Sequence, residues 1–388
     1  MKKKAGKKAK NKKEDILSEA LHVQKEDFEK TEDISPEEKK KKKIRKIIGI
    51  VAFVIFNAIV LFFTARDQFS QTTPKFQGEP FGIKNVMFLL GGILCVVVVL
   101  GIETIKYVLM MRHLGEKVSV RAAFETAALG KYYDCITPSG AGGQPFQIWH
   151  LHSKGYSNGA SSAMPLTGFV TMQYGFVFLC AFVFIFNNGA ISSVPLKIAA
   201  YVGMFTYSIV PTMIILTAVS PSTSAKMINF FVNLGAKIRI IKKPDQVKTK
   251  VENSLNDYAE CLRKIEKNKG LLVSLFVLSF ILQVAMCSIP YFVIHTFGGD
   301  LGFIQSLSMC TFVMASVTIV PTPGNSGAAE GSFYLLFNKL DTFGLFWSML
   351  VWRALCYYSF IIIGVIIYLY GAVEKIVKLR KEKKSESE

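Results

Sequence analysis

The sequence predicts an all-α polytopic membrane protein, with six full spans and two re-entrant broken-helix hairpins that together suit an inverted repeat. Three observations carry this. Of 388 residues, 51% are hydrophobic and only 19% charged, and the apolar residues gather in runs near the ~20 that cross a bilayer as a helix. The formal charge of +18 lies in the tails and between the runs. Two stretches within the hydrophobic part hold too much proline and glycine for continuous helix: Thr-Pro-Ser-Gly-Ala-Gly-Gly-Gln-Pro-Phe from Thr137 to Phe146, and Pro-Thr-Pro-Gly-Asn-Ser-Gly-Ala-Ala-Glu-Gly from Pro321 to Gly331. In hydrocarbon, a broken backbone leaves polar groups unpaired at several kcal/mol each. Such a break survives only against protein or a watery cavity.

Residues 1–46 read as a basic, largely disordered cytoplasmic tail. Its last part, Lys39–Lys46, carries seven basic residues directly before the first apolar run, as an anchor on anionic lipid would. The spans follow as Ile47–Ala65, Val86–Tyr107, Ala160–Phe186, Leu196–Val219, Gly270–Phe297 and Phe343–Tyr370. The first lies too far from the N-terminus for an ordinary signal peptide and reads as a retained span. Val120–Ile136 is interrupted by Glu125, Lys131 and Asp134 and fits a half-length helix leading into the first break, with Ile148–Tyr156 returning from it. Leu301–Val320 leads into the second break and Ser332–Phe337 leaves it. The loop 220–269 holds eleven Lys/Arg against five Asp/Glu, and Val251–Ile265 within it has the period of a surface helix. A basic tail, 371–388, closes the chain. The transmembrane domain is therefore 47–370.

Sidedness follows from the basic residues. They crowd the N-terminal tail, Arg112–Arg121, His150–Lys154, the 220–269 loop and the C-terminal tail, and avoid Arg66–Lys84, Asn187–Pro195, Gly298–Asp300 and Lys339–Asp341. Six spans with both tails in the cytoplasm satisfy all of these. The first broken segment then enters from the cytoplasm and the second from outside. Paired interrupted segments in two halves are the best sequence pointer to a transport site near the midplane.

The same charge distribution argues against nucleic acid, because no recognition motif accompanies it. The seven cysteines are scattered and His150 and His152 do not share a helix face, so neither a disulfide framework nor a metal site is expected. No cofactor is expected. Gly140, Gly142 and Gly143 follow no β-strand and do not make a dinucleotide loop.

The candidate residues lie at the breaks. Thr137, Pro138, Gly140, Gly142, Gly143 and Gln144 offer freed amides of the kind that bind anions; the alternative is a tight, glycine-packed turn. Pro321, Thr322, Pro323, Gly324, Gly327 and Glu330 form the second set, with Arg353 in the last span. An intramembrane arginine demands a partner. Either Glu330 and Arg353 lock the hairpin, or Glu330 holds Arg353 for a lipid phosphate, which a guanidinium grips with two hydrogen bonds. Glu103 and Lys106 are spaced to pair. A polar cavity would explain Glu103, Glu125, Lys131 and Asp134, although ordinary interfacial charge is the reading preferred for Glu125 and Lys131.

The two motifs and Arg353 resemble the transmembrane region of lysylphosphatidylglycerol synthases, the flippase part of the multiple peptide resistance factor, over about Ile47–Tyr370. The resemblance implies a membrane flippase for an anionic or aminoacylated phospholipid and, through that, antimicrobial peptide resistance and a place in the cell membrane. In full-length relatives a soluble C-terminal domain transfers lysine from charged tRNA to phosphatidylglycerol. No such domain follows Tyr370 here, so the expectation is that the chain does not itself transfer lysine. The third span reads Val170-Thr-Met-Gln-Tyr174 where many relatives carry an acid and an arginine, which puts the headgroup in doubt. The partners implied are membrane phospholipid, an anionic lipid surface and a separate lipid synthase, with an oligomer left open. An accessory that presents lipid to that synthase, and an intramembrane transferase, are the competing classes.

Overall fold

The computed structural model describes residues 82–219, 259–337 and 342–385, apart from 138, 139, 141, 192, 321 and 323. All of them belong to one compact unit. The N-terminal tail, the span Ile47–Ala65, most of the 220–269 loop, Pro138, Pro321, Pro323, Lys339 and Asp341 lie outside the described residues.

Besides a helical stretch at 259–267, the described residues form ten α-helices and no strand. They are α1 (Ile83–His113), α2 (Val120–Ile136), α3 (Gly143–Ser153), α4 (Asn158–Phe186), α5 (Val194–Val219), α6 (Lys269–Thr296), α7 (Phe303–Ser316), α8 (Ala328–Leu336), α9 (Thr342–Arg353) and α10 (Ser359–Ser385). Five elements are long and apolar enough to cross a membrane: α1, α4, α5, α6 and the continuous run from α9 into α10. These are five of the six expected spans, the sixth being Ile47–Ala65. Their outward faces carry Leu90, Leu94 and Val97 on α1, Phe178, Phe182 and Phe186 on α4, and Ile362, Val365 and Ile366 on α10, all exposed. A water-facing surface would not tolerate such continuous apolar faces. The chain is a multi-pass membrane protein.

Helix α6 is central. It packs along α1 and against α4, α7 and α9, while α5 packs on α7. Small residues allow the close crossings: a Cβ on Gly175 of α4 would press on the α6 backbone at Ser279 and Phe280, and one on Gly203 would collide with the Ala315 carbonyl of α7.

The broken segments form two helix pairs, α2 with α3 and α7 with α8, each packed on its partner. At 17, 11, 14 and 9 residues, all four helices are shorter than a full span. The breaks are narrower than the motifs. Helix α3 already starts at Gly143, because Pro145 falls in its first turn, where no helical N–H is missed. Helix α8 likewise starts at Ala328 rather than Ser332.

Contacts between connections sort the molecule into two ends. At one, His113 meets the Lys264 carbonyl (2.9 Å), Tyr156 donates to the Lys117 carbonyl (3.0 Å), and Arg121 pairs with Glu374 (2.5 Å). At the other, Asn187 donates to Ser308 (2.7 Å) and Tyr291 packs edge-on against Phe303. The first pair, α2–α3, connects at the basic end and the second, α7–α8, at the opposite end. Residues 259–267 are helical, and Leu262 and Ile265 are buried with Met110, Met111 and Leu151, so this part of the expected surface helix docks on the bundle. Helix α10 runs on through the basic tail to Ser385.

Candidate functional site

The first break is held by its own side chains. Thr137 turns extended at the end of α2. Its hydroxyl donates to the Tyr133 carbonyl (2.6 Å) and accepts from the Gly142 N–H (2.9 Å). The Gly143 N–H donates to Oδ1 of Asp134 (3.0 Å). Asp134 therefore caps α3, a negative charge at the positive end of a helix. A Cβ on Gly143 would collide with that carboxylate, and one on Gly142 with Thr137, which is why both positions are glycine. Gly140 has φ +64° and donates to the Thr137 carbonyl (3.3 Å). The amides that the glycine spacing offers to an anion are thus met from within.

Beside this turn a polar cavity of about 20 Å³ opens between α1, α2, α3 and α4, lined by Glu103, Lys131, Asp134, Gln144 and Gln147 and walled by α4 from Pro165 to Met172. That volume holds about one or two waters. Glu103 lies ten residues from the basic end of α1, about 15 Å at helical rise, or half of the ~30 Å hydrocarbon core. It pairs with Lys106 (3.6 Å), which is fully buried and donates to the Gly168 carbonyl (3.1 Å). The Gln147 amide donates to the Thr126 carbonyl (3.3 Å), crossing Gly130, where any Cβ would block it. Lys131 is different. Its ammonium approaches only the Met172 thioether (3.6 Å), a weak acceptor, and no carboxylate stands within 4.0 Å among the described residues.

The second break is braced by Arg353. Its Nε donates to Glu330 (2.7 Å), Nη1 and Nη2 both reach the Gly324 carbonyl (3.3 and 3.2 Å), and Nη2 also donates to the Ser326 hydroxyl (3.0 Å). The other Glu330 oxygen accepts the Gly327 N–H (2.6 Å), and the Thr322 hydroxyl donates to the Ser326 carbonyl (2.9 Å). Arg353 and Glu330 are both buried, and the guanidinium lies 4.7 Å from the centre of the Tyr357 ring. Every guanidinium nitrogen has a protein partner, the geometry of a lock. Gly324, Asn325 and Gly327 all have positive φ, and a Cβ on Gly324 would run into Tyr357.

The two centres meet. Cys135, next to Asp134, donates its thiol to the Tyr357 carbonyl (3.8 Å), on the residue whose ring covers Arg353. Tyr133 hydrogen-bonds Tyr368 of α10 and stacks on Phe146 (centroids 3.4 Å apart). Of the residues singled out by sequence, Thr137, Gly140, Gly142, Gly143 and Gln144 gather at the first centre, and Thr322, Gly324, Gly327, Glu330 and Arg353 at the second. Asp134 as a cap, Gln147, Ser326 and Tyr357 were not singled out for these roles; the i,i+3 spacing of Lys131 and Asp134 was the available signal.

Glu125 sits apart, at the basic end. It takes Lys154 (2.6 Å) and Arg121 (2.8 Å), with His150 at 3.5 Å. It is the interfacial charge expected of it; Lys131, facing the cavity, is not.

The comparisons fit this architecture. The lysylphosphatidylglycerol synthase TM region family matches residues 44–364, and the chain belongs to it. A membrane protein of Archaeoglobus fulgidus, described as a UPF0104 membrane protein, is 26% identical over 340 residues, covering 86% of this chain and 99% of that relative.

Proposed function

We propose that this member of the lysylphosphatidylglycerol synthase transmembrane-region family moves a phospholipid headgroup between leaflets. The observation that carries the reading is the cavity at the first break, about 15 Å along α1 from its basic end and lined by charges of both signs. A headgroup crossing hydrocarbon alone loses its hydration at a cost of many kcal/mol. Ionisable groups at mid-depth are rare and expensive, and their default meaning is a polar pathway. The exposed apolar faces leave the acyl chains in lipid while the headgroup takes the protein route. At about 20 Å³ the cavity holds no more than a water or two, so passage requires the α2–α3 pair to part from α1 and α4. The Arg353–Glu330 brace holds the second break rigid during that motion. In this reading both tails face the cytoplasm of the cell membrane, beside anionic lipid.

The test is reconstitution of the purified chain into liposomes carrying acyl-labelled fluorescent phospholipid, with a membrane-impermeant quencher outside. Wild type should expose inner-leaflet lipid to the quencher, Gln144→Ala should slow this, and Arg353→Ala should stop it. Quenching that ends at the outer-leaflet share, as in protein-free liposomes, would remove the reading.

A further inference from the structure

Two contacts set the depth of the cavity charges. Helix α4 starts at the basic end with Asn158; Lys106 reaches its Gly168 carbonyl (3.1 Å), and Lys131 reaches its Met172 thioether (3.6 Å). Met172 lies about one helical turn further in than Gly168. Glu103 is one turn deeper than Lys106 on α1, and Asp134 follows Lys131 by one turn on α2. Lys131, Glu103 and Asp134 therefore share the inner part of the cavity, and Lys106 stands at its margin toward the basic end.

These charges are not used alike. Lys106 and Glu103 neutralise one another (3.6 Å). Lys131 and Asp134 do not: among the described residues neither has an ion partner within 4.0 Å. Asp134 gives Oδ1 to the Gly143 N–H (3.0 Å), so its charge ties the start of α3 to the end of α2. Lys131 faces space for a water or two. The helices packed on α2 are α1, α3 and α10. Toward Asp134, α1 brings Glu103, Lys106 and the Tyr107 hydroxyl, and α3 brings only the amides of Gln144 and Gln147. His150 of α3 lies at the basic end beside Glu125. On α10, Tyr368 is bonded to Tyr133 and Glu374 is paired with Arg121. Beyond Cys135, Arg353 is committed to Glu330.

Building on the translocation reading, we infer that the protein is a proton–lipid symporter, in which one phosphodiester at Lys131 and one proton at Asp134 cross together. A phosphodiester carries one negative charge, and Lys131 is the cation placed to meet it. Its arrival sets that charge beside the Asp134 carboxylate in a low-dielectric interior, and two anions in one site favour protonation of the carboxylate. The proton comes from water reaching the cavity, binds a carboxylate oxygen of Asp134, and returns to water when the lipid leaves. A neutral Asp134 also loosens its hold on the α3 terminus, in the pair whose parting translocation requires. For a lipid whose headgroup bears that single charge, such as phosphatidylglycerol, the load is electrically neutral.

The full chain is tested in liposomes holding a trace of acyl-labelled phosphatidylglycerol and a proton gradient of about one pH unit, with an impermeant quencher reporting the outer-leaflet share. Label should gather in the leaflet on the alkaline side, toward a ratio of about tenfold, the same pH unit expressed as an equilibrium. Reversing the gradient should reverse the ratio, and a proton ionophore should abolish it. An even distribution across a maintained gradient would overturn proton coupling and leave translocation standing. Label that never changes leaflet, with or without the gradient, would remove both readings. Asp134→Asn keeps an acceptor for the Gly143 N–H but releases no proton, so whatever label it moves should end evenly spread. Accumulation in that variant would overturn the assignment to Asp134. If it moves no lipid, Asp134→Glu should bring accumulation back by restoring a titratable carboxyl, and its failure to do so would overturn the assignment equally. Lys131→Gln should slow movement about tenfold, the scale of one charge-assisted contact, and Lys131→Arg should restore it. A full rate in Lys131→Gln would take the phosphate away from this position and, with it, the reason for the proton.

Discussion

At the scale of single residues, Arg353 carries the heaviest structural duty. It supplies a backbone-like partner to the Gly324 carbonyl, which the broken helix has stranded, and neutralises Glu330 in the same grip. Breaking a buried pair by removing one member costs about 3–5 kcal/mol, because the other charge stays buried. Arg353→Ala should therefore lower the unfolding midpoint in detergent as well as stop transport. Arg353→Lys keeps the charge but not the planar fork, and should lose about 1–3 kcal/mol through the abandoned Gly324 and Ser326 contacts. A full midpoint for Arg353→Ala would show that the brace holds nothing. Gly324→Ala combines positive φ with a collision against Tyr357. Overpacking alone costs ~1–3 kcal/mol, and the same midpoint measurement checks it.

At the scale of elements, the turn between α9 and α10 is a π-helix, Ala354–Tyr358. One extra residue in a helical turn lets α9 aim Arg353 at the second break while α10 turns to meet α2 through Tyr368 and Glu374. Deleting Leu355 should restore an α-helical turn and rotate α10, so the brace or the α2 contacts survive, but not both. Crosslinking between cysteines introduced at Tyr133 and Tyr368 should disappear in the deletion variant, and its persistence would contradict this role for the turn. The clasp joining α2 to α3 at the basic end has a pH signature. Burial, and then Lys154, hold His150 below the usual imidazole range. Folding therefore favours its neutral form, and the contribution is complete above the ordinary value of about 6.5 and lost as pH falls below it. The unfolding midpoint should drop on acidification from neutral, and His150→Gln should remove that part of the drop. The helices, and the two places where they break, were legible from apolar run length and from proline and glycine. The exact ends of the breaks were not, because Pro145 and Ala328 look alike in sequence whether they end a loop or start a helix. The cavity was half legible: Glu103, Lys131 and Asp134 stood out as charges in an apolar region, but which of them met bulk water depended on how α1 and α2 packed.

At the scale of the whole molecule, the two broken pairs connect at opposite ends, α2–α3 where the basic residues gather and α7–α8 at the other. An arrangement of this kind lets a polar route reach the midplane from each side without a continuous pore, since each broken pair covers only part of the thickness. It also fixes which leaflet the first cavity serves. On the proposed translocation, with the basic end facing the cytoplasm as the excess of Lys and Arg argues, the Lys131 cavity draws from the inner leaflet. Single cysteines in an otherwise cysteine-free chain can report this: His152→Cys lies exposed at the basic end and Gly189→Cys exposed at the other. In intact cells a membrane-impermeant maleimide should label the position-189 variant and should reach position 152 only after permeabilisation. The reverse pattern would turn the molecule over and make the outer leaflet the source for the first cavity. Labelling of both positions from outside would mean that the two breaks do not serve opposite leaflets, and the route joining them would lose its direction.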